Sequence, residues 1–355
     1  MTSRVENPFV RSKILAQTAA HWGCSPVENY KIDKQIGEGT YGKVYKCHRN
    51  SDKMVVAWKK IRTDFSRANP ESQSDRQLDG FPLTAIREIS LLMHLKHPRI
   101  VNLIEVAVST PEKYFAGEGA VVIIFEYCEH DLAGLHNLSN SSSLFTPPAI
   151  KFIMLQLLQS IAHCHSHGVL HRDIKMSNVL INAKGDLKLW YRAPEIFLGD
   201  RSYTNAIDIW SVGCIFAELL TGEAVFRSNT DSEAVNKIWD LCGSPANSGW
   251  KDVEQLPLFK SFGGSVPKKN RLREHFSNIP QDCLDLLESL LKLDPEQRIS
   301  AKDALYHHYF TSEPAPVCIG AQEVEESHEY EVRQQRKARS QAPPMPTAKR
   351  ARIGP

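Results

Sequence analysis

Residues 171–178 read HRDIKMSN. An acid at Asp173, a base at Lys175 and an amide at Asn178 converge within one short stretch. The stretch follows IKFIMLQLLQSIAHCHSHG (150–168), an apolar helical run opened by Thr146-Pro147 and stopped by Gly168. An Asp in a loop accepts a hydroxyl proton, a Lys two residues on neutralises a phosphoryl group in transit, and an Asn five residues on ligates a divalent cation. A bland loop has no need of these three groups in this order.

Working outward toward the N-terminus, Gly37-Glu38-Gly39-Thr40-Tyr41-Gly42-Lys43-Val44 has the spacing G-x-G-x-x-G-x-V. Alone it is weak, since a dinucleotide fold uses the same glycines to open a helix and a plain Gly-rich hairpin shows them too. Here they separate two strand-like runs, YKIDKQIG and GKVYKCHR, which suits a hairpin whose backbone closes over phosphates. A third run, KMVVAWKKI, follows. Alternation sends Ala57 and Lys59 to one face and Trp58 to the other, so a flat base has room beside Ala57 and Lys59 reaches phosphate. A buried Lys needs a carboxylate partner, and Glu88 in PLTAIRE (82–88) is the candidate, on a helix with Ile86, Ile89 and Leu92 or Met93 at helical spacing. An exposed helix Glu is the alternative. Strands are expected around VNLIEVAV and AVVIIFEY, and helices over 205–221, 232–242, 281–292 and 301–309, the last capped by Ser300.

These motifs together resemble a eukaryotic protein kinase from about Tyr30 to Phe310. PLTAIRE and WYRAPE (190–195) are similar to segments of cyclin-dependent kinases. GFPLTAIRE, LKHPRIVNLIE and FEYCEHDLAGL resemble their transcriptional branch, closest to the cyclin-dependent kinase 9 group. The resemblance implies an α+β, bilobal fold: an arm over 1–28, a small antiparallel β lobe with one helix over 29–127, and a mainly helical lobe over 128–310. It implies ATP and Mg²⁺ as cofactors, a cyclin (cyclin T-like or related) as partner, transcription-machinery substrates such as the RNA polymerase II repeats, and a nuclear location. Asp173, Lys175, Asn178, Lys59 and Glu88 would carry catalysis, with Asn178 on the metal. Ile36, residues 37–44, Ala57, Lys59 and Leu180 would surround the nucleotide. Phe125 would be the gatekeeper, Glu126, Tyr127 and Cys128 the hinge, and Asp131 the pocket mouth. Asp208 and Arg298 match structural residues, Arg298 pairing with Glu195.

One junction departs from the family. GDLKLWYRAPE (185–195) passes from Leu189 directly to Trp190. The family continues after such a strand with Ala-Asp-Phe-Gly and an activation loop before reaching WYRAPE. The Mg²⁺-holding Asp and the loop's phosphorylated Thr are therefore expected to be absent, and Asp186 precedes the strand. A neutral amide does not replace a carboxylate on Mg²⁺, so catalysis by this chain is expected to be impaired, each ~1.4 kcal/mol lost costing tenfold. A kinase-like protein that binds cyclin or nucleotide without transferring phosphate is the competing reading. The loop over 62–80 also looks long for this family.

The remaining signals set limits. A formal net charge of +2 over 355 residues argues against a whole-chain nucleic-acid binder. No run of ~18 apolar residues is present to span a membrane, and MTSRVENPFVRSK lacks a signal-peptide core. The eight cysteines avoid CxxC spacing, as expected for reduced thiols of an intracellular protein. His163, His165 and His167 mimic a metal cluster, but i and i+2 diverge by about 200° on a helix. Residues 311–355 lack apolar periodicity and are expected to be a disordered basic tail. Its 336–339 and 349–352 clusters fit a nuclear signal or a solvated tail.

Overall fold

The computed structural model describes residues 24–39, 42–61, 83–109, 121–138, 141–182, 193–228, 230–321 and 324–341. The long 62–80 loop, Thr40, Tyr41 and the Leu189–Trp190 junction lie outside the described residues.

The expected β runs form one sheet: β1 (Ser25–Pro26), β2 (Tyr30–Gly39), β3 (Gly42–Arg49), β4 (Val55–Lys60), β5 (Leu103–Val108) and β6 (Val121–Glu126), in the order β1-β5-β6-β4-β3-β2. Every pairing is antiparallel except β1 with β5. Period-two alternation gives the sheet two apolar faces. Tyr30, Cys47, Val56, Trp58, Ala107, Val122 and Ile124 pack on one. Ile61, Leu103, Val121 and Ile123 pack on the other, where Ile89 and Leu92 of the Leu83–His94 helix join them. Trp58 lies on the face away from Lys59, with its indole edge-on to Tyr45 at 5.5 Å, so this bulky residue leaves the cleft clear.

The larger part is helical and surrounds Ala206–Thr221, which is buried on nearly every side. Pro147–Ser166 and Gln281–Leu290 pack against it. Gly213 permits the tight approach, because a Cβ there would sit 2.7 Å from Leu291 Cδ2. Pro147 begins its helix as expected, but the Thr146 side chain makes no cap bond, and Ile150 N donates instead to the Thr146 carbonyl at 2.9 Å. Ser300 does cap, accepting from Asp303 N at 3.1 Å. The helix expected over 301–309 breaks into Ala301–Ala304 and a 3-10 turn at His308–Phe310, which places Tyr309 against Phe216 at 5.3 Å.

The disordered tail expected over 311–355 is corrected for its described part, while 322–323 and 342–355 lie outside the described residues. Residues 311–321 and 324–341 lie against the body and end in a helix, Glu329–Gln341. Their docking uses few apolar side chains. Ser327 N donates to Glu129 O at 3.2 Å and Asp131 N donates to Ser327 O at 3.1 Å. His130 is buried beneath them, its Nδ1 accepting from Ser327 N at 3.2 Å and its Nε2 3.2 Å from Ala321 O.

The expected Glu195–Arg298 pair is bidentate, at 2.9 and 3.1 Å, and both side chains are fully buried. The guanidinium also donates to the carbonyls of Ala206 (2.7 Å), Lys292 (2.9 Å) and Leu293 (3.1 Å), so its hydrogens are satisfied where no water reaches. Removing either partner strands a buried charge. Glu195→Ala is therefore expected to cost about 3–5 kcal/mol in chemical denaturation. Arg298→Lys is expected to recover little of an Arg298→Ala loss, because an ammonium does not reproduce the planar fork.

Candidate functional site

Residues directly opposite on antiparallel strands share a face, so register alone places the cleft residues. Lys46 pairs with both Lys34 and Ala57, and Ala57 pairs with Phe125. One row, Lys34–Lys46–Ala57–Phe125, thus crosses the sheet on the face opposite Trp58. The adjoining row is Gly37–Val44–Lys59–Ile123. Together they put a small residue, a gatekeeper-sized ring, a Lys and the glycine hairpin on one surface. Ile36 is buried at the hairpin's base, and Glu38 and Lys43 are exposed on its two strands. Glu88 lies on the Leu83–His94 helix, and its side chain is outside the described residues.

The catalytic-type loop is held from below by Asp208, a fully buried carboxylate in the first turn of Ala206–Thr221. Its Oδ2 accepts from His171 N and its Oδ1 from Arg172 N, both at 2.9 Å, and His165 Nε2 lies 2.9 Å from Oδ2. Arg172 takes a left-handed backbone, φ 66°, and so turns the chain toward Asp173. Its guanidinium rests over the Tyr203 ring at 5.3 Å. Asn178 follows in a 3-10 turn, with Nδ2 3.5 Å from Asp173 O. Asp173 and Lys175 border a cavity of about 370 Å³ that is otherwise mainly apolar, with Trp210, Cys214, Phe226 and Ile238 in its wall.

The histidines of 163–167 separate as their spacing predicts. His165 faces Asp208. His163 stacks on His97 at 4.6 Å and meets His167 at 4.3 Å, joining the end of Pro147–Ser166 to the loop after Leu83–His94. Among the described residues no group of three or more acidic, His or Cys side chains is arranged to hold a metal ion.

The expected hinge is the most elaborated region, and most of that elaboration was not read from the sequence. Asp131 caps Leu132–His136, its Oδ1 accepting from Gly134 N at 2.6 Å. Its Oδ2 accepts from Glu329 N at 2.8 Å. Leu180 pairs with Asp131 across a two-residue ladder. His328, buried beside Tyr127, donates from Nε2 to the Cys128 carbonyl at 3.1 Å. Gly134 is required for this approach, because a Cβ there would lie 2.4 Å from the Ser327 carbonyl. The C-terminal segment is thus a strap bonded along the hinge. Ser327-His328-Glu329 carries the polar pattern that marks it, a signal legible only once its partners His130 and Asp131 are known.

Comparison with known proteins agrees with this geometry. The protein kinase domain model matches residues 30–190 and 189–310. Cyclin-dependent kinase C-1 of Oryza sativa subsp. japonica is 40% identical over 90% of this chain and 66% of its own length. CTD kinase subunit alpha of Schizosaccharomyces pombe is 38% identical over 87% of this chain and 53% of its own length. Cyclin-dependent kinase 12 of Drosophila melanogaster is 37% identical over 80% of this chain. The chain spans less than two thirds of the length of these relatives, 26% in the last case.

Burial pushes the Asp131 carboxyl up to about 6, against the opposing bonds from Glu329 N and Gly134 N. A carboxyl whose folded pKa exceeds its unfolded value favours the fold most below the unfolded pKa and loses that contribution as pH rises through the folded one. The melting temperature of Asp131→Asn, relative to wild type, is therefore expected to rise between about pH 4 and pH 6, as read by thermal denaturation across that window.

Proposed function

The chain belongs to the protein kinase family, with relatives named as cyclin-dependent kinases of the transcriptional type, and we propose that it is a cyclin-dependent serine/threonine kinase fold that retains a nucleotide cleft while its own phosphoryl transfer is impaired. The observation that carries this reading is the way the family model matches. Its two stretches meet at residues 189–190, where Leu189 joins Trp190, and the sequence holds no Asp-Phe-Gly.

The residues present fit ATP. The hinge backbone at 126–128 offers polar edges to adenine, Ala57 leaves space for the ring, and Lys59 on the same face reaches phosphate. Lys59 would pair with Glu88 once that helix is set. Asp173 would accept the proton of an attacking Ser or Thr hydroxyl, while Lys175 steadies the phosphoryl oxygens. The metal fits poorly. Mg²⁺ supplies charge neutralisation at the phosphates, and the amide of Asn178 would offer it only a neutral donor. Arg172, which would meet a loop phosphate in the family, stacks on Tyr203 instead.

A cyclin is the proposed partner of the Leu83–His94 helix, whose exposed Leu91 and Met93 offer apolar contact. Cyclin T-like proteins are the finer expectation, and the RNA polymerase II repeats are the proposed substrate. Nuclear location is proposed from that role and from the exposed Arg336 and Lys337. The competing reading, a protein that binds cyclin or nucleotide with no transfer at all, rests on the same junction.

The test is Mg²⁺-dependent phosphorylation of a polymerase-repeat peptide by the purified chain with cyclin. The expected rate lies within about threefold of the Asp173→Asn control. Inserting a family Asp-Phe-Gly and activation segment between Leu189 and Trp190 is expected to raise it by roughly 10³, the equivalent of about 4 kcal/mol. A rate for the unmodified chain a hundredfold above the control would refute impairment.

A further inference from the structure

The end of Pro147–Ser166 holds a pair of imidazoles that the kinase reading does not use. His163 lies in the last turn and His167 is the residue that caps it. Four residues of helix bring two side chains to within about 40° of one another, on one face and one turn apart. His165 points away from both and is taken by Asp208. The His163 and His167 ring centroids are 4.3 Å apart, with the planes tilted by 41°. Two imidazoles sharing one ion at metal–nitrogen distances of about 2.0–2.1 Å have centroids roughly 4.5–5 Å apart. The pair is therefore a small side-chain adjustment away from a chelate.

The hydrogen bonds around the pair leave nitrogen atoms free for this. His167 Nδ1 donates to the His163 carbonyl at 2.8 Å, and Ser166 Oγ donates to the same oxygen at 2.8 Å. The neutral His167 ring thus carries its proton on Nδ1 and presents a lone pair at Nε2. An Nδ1–H held by a backbone carbonyl is how metal-binding histidines are commonly oriented. His163 Nε2 is buried and has no hydrogen-bond partner, so its burial is uncompensated. Desolvation, and after it the neighbouring His167, lowers the His163 pKa, which keeps the ring neutral at neutral pH, the form that binds a metal. The helix C-terminus favours a cation at the same place. His97 stacks on His163 at 4.6 Å, but its Nδ1 accepts from Arg99 N at 3.1 Å. Its neutral ring therefore has its proton on Nε2 and no lone pair to give.

We propose that His163 and His167 form a two-histidine chelate for a divalent transition ion of the Zn²⁺, Ni²⁺ or Cu²⁺ class, with water completing the coordination. Such an exchangeable site needs two protein ligands, not the group of three that is absent among the described residues. Imidazole nitrogen selects these ions over Mg²⁺, which takes oxygen ligands. An ion here fixes the His163 ring against His97, and so ties the loop after Leu83–His94 to the end of Pro147–Ser166.

The experiment is calorimetric titration of the full, untagged chain with ZnCl₂, NiCl₂ and MgCl₂ near neutral pH, reading the tightest site. Wild type is expected to bind Zn²⁺ and Ni²⁺ saturably and one-to-one, and Mg²⁺ not at that site. His163→Phe keeps an aromatic ring against His97 and removes the nitrogen; His167→Phe removes the second ligand. Each is expected to weaken Zn²⁺ binding roughly tenfold or more. His97→Phe and His275→Gln, the latter at an exposed histidine elsewhere, are expected to leave it within about twofold. Absence of saturable binding by wild type, or wild-type affinity in either of the first two variants, would overturn the proposal. So would equal weakening in His275→Gln, the mark of non-specific histidine binding. Thermal melts give a second readout. Zn²⁺ is expected to raise the melting temperature of wild type and not that of His167→Phe, and an equal rise in both overturns the assignment.

Discussion

The catalytic-type loop depends on one buried carboxylate. Asp208 has no exposure, and its two oxygens receive the backbone N–H groups of His171 and Arg172. A carboxylate taken out of water is tolerated only where donors replace its hydration. Here the donors are the loop's own backbone, so the loop cannot leave without stranding the charge. That dependence fixes the left-handed turn at Arg172 and the direction in which Asp173 emerges. Asp208 in turn stands on a helix pinned by Arg298, whose guanidinium bonds the Ala206 carbonyl at the helix start and lies 5.2 Å from Trp210. Two buried ionic groups, each fully bonded, thus connect the base of the larger lobe to the loop at its surface.

What was legible in the sequence follows from the kind of force at work. Alternation on β4 told which side Trp58 takes, because sheet faces are set by a period of two that tertiary context rarely overrides when both faces are covered. The Glu195–Arg298 pair was legible through family likeness, since charges more than a hundred positions apart carry no local signal. Helix starts and stops were close where apolar period and a breaker agreed, as at Pro147 and Gly168. They failed at 301–309, where Tyr309 is drawn into the aromatic contact with Phe216.

The strap was illegible for a physical reason. Composition detects segments that can bury apolar surface, and residues 324–341 have little. Their order comes from backbone bonds, two buried histidines and ion pairs, and the bonds to Glu129, His130, Asp131, Lys34 and Lys46 need partners supplied by another part of the chain. His130 can accept from Ser327 N while facing Ala321 O only as a neutral ring with its proton on Nε2. Desolvation, which lowers its pKa, favours that neutral form despite the nearby Glu129 and Glu326. A polar, charged segment was thus read as solvated because the sites that accept it are visible only in three dimensions.

The strap and the Leu189–Trp190 junction bear on different requirements of the proposed kinase reading. In that reading the junction sequence lacks an acid that would neutralise charge at the phosphates. The strap holds Lys34, Lys46 and the Cys128 carbonyl through Glu326, Glu331 and His328, with Lys46 over the Tyr127 ring. Burial alone would push the Glu326 carboxyl up, but the two lysines more than offset it and bring it down to about 2. Glu326 therefore stays charged throughout the physiological range. Binding at the base end draws on contacts that need no metal, whereas transfer at the phosphate end does need one. On the proposed reading, a chain that keeps the first set and lacks part of the second would bind nucleotide more readily than it turns it over.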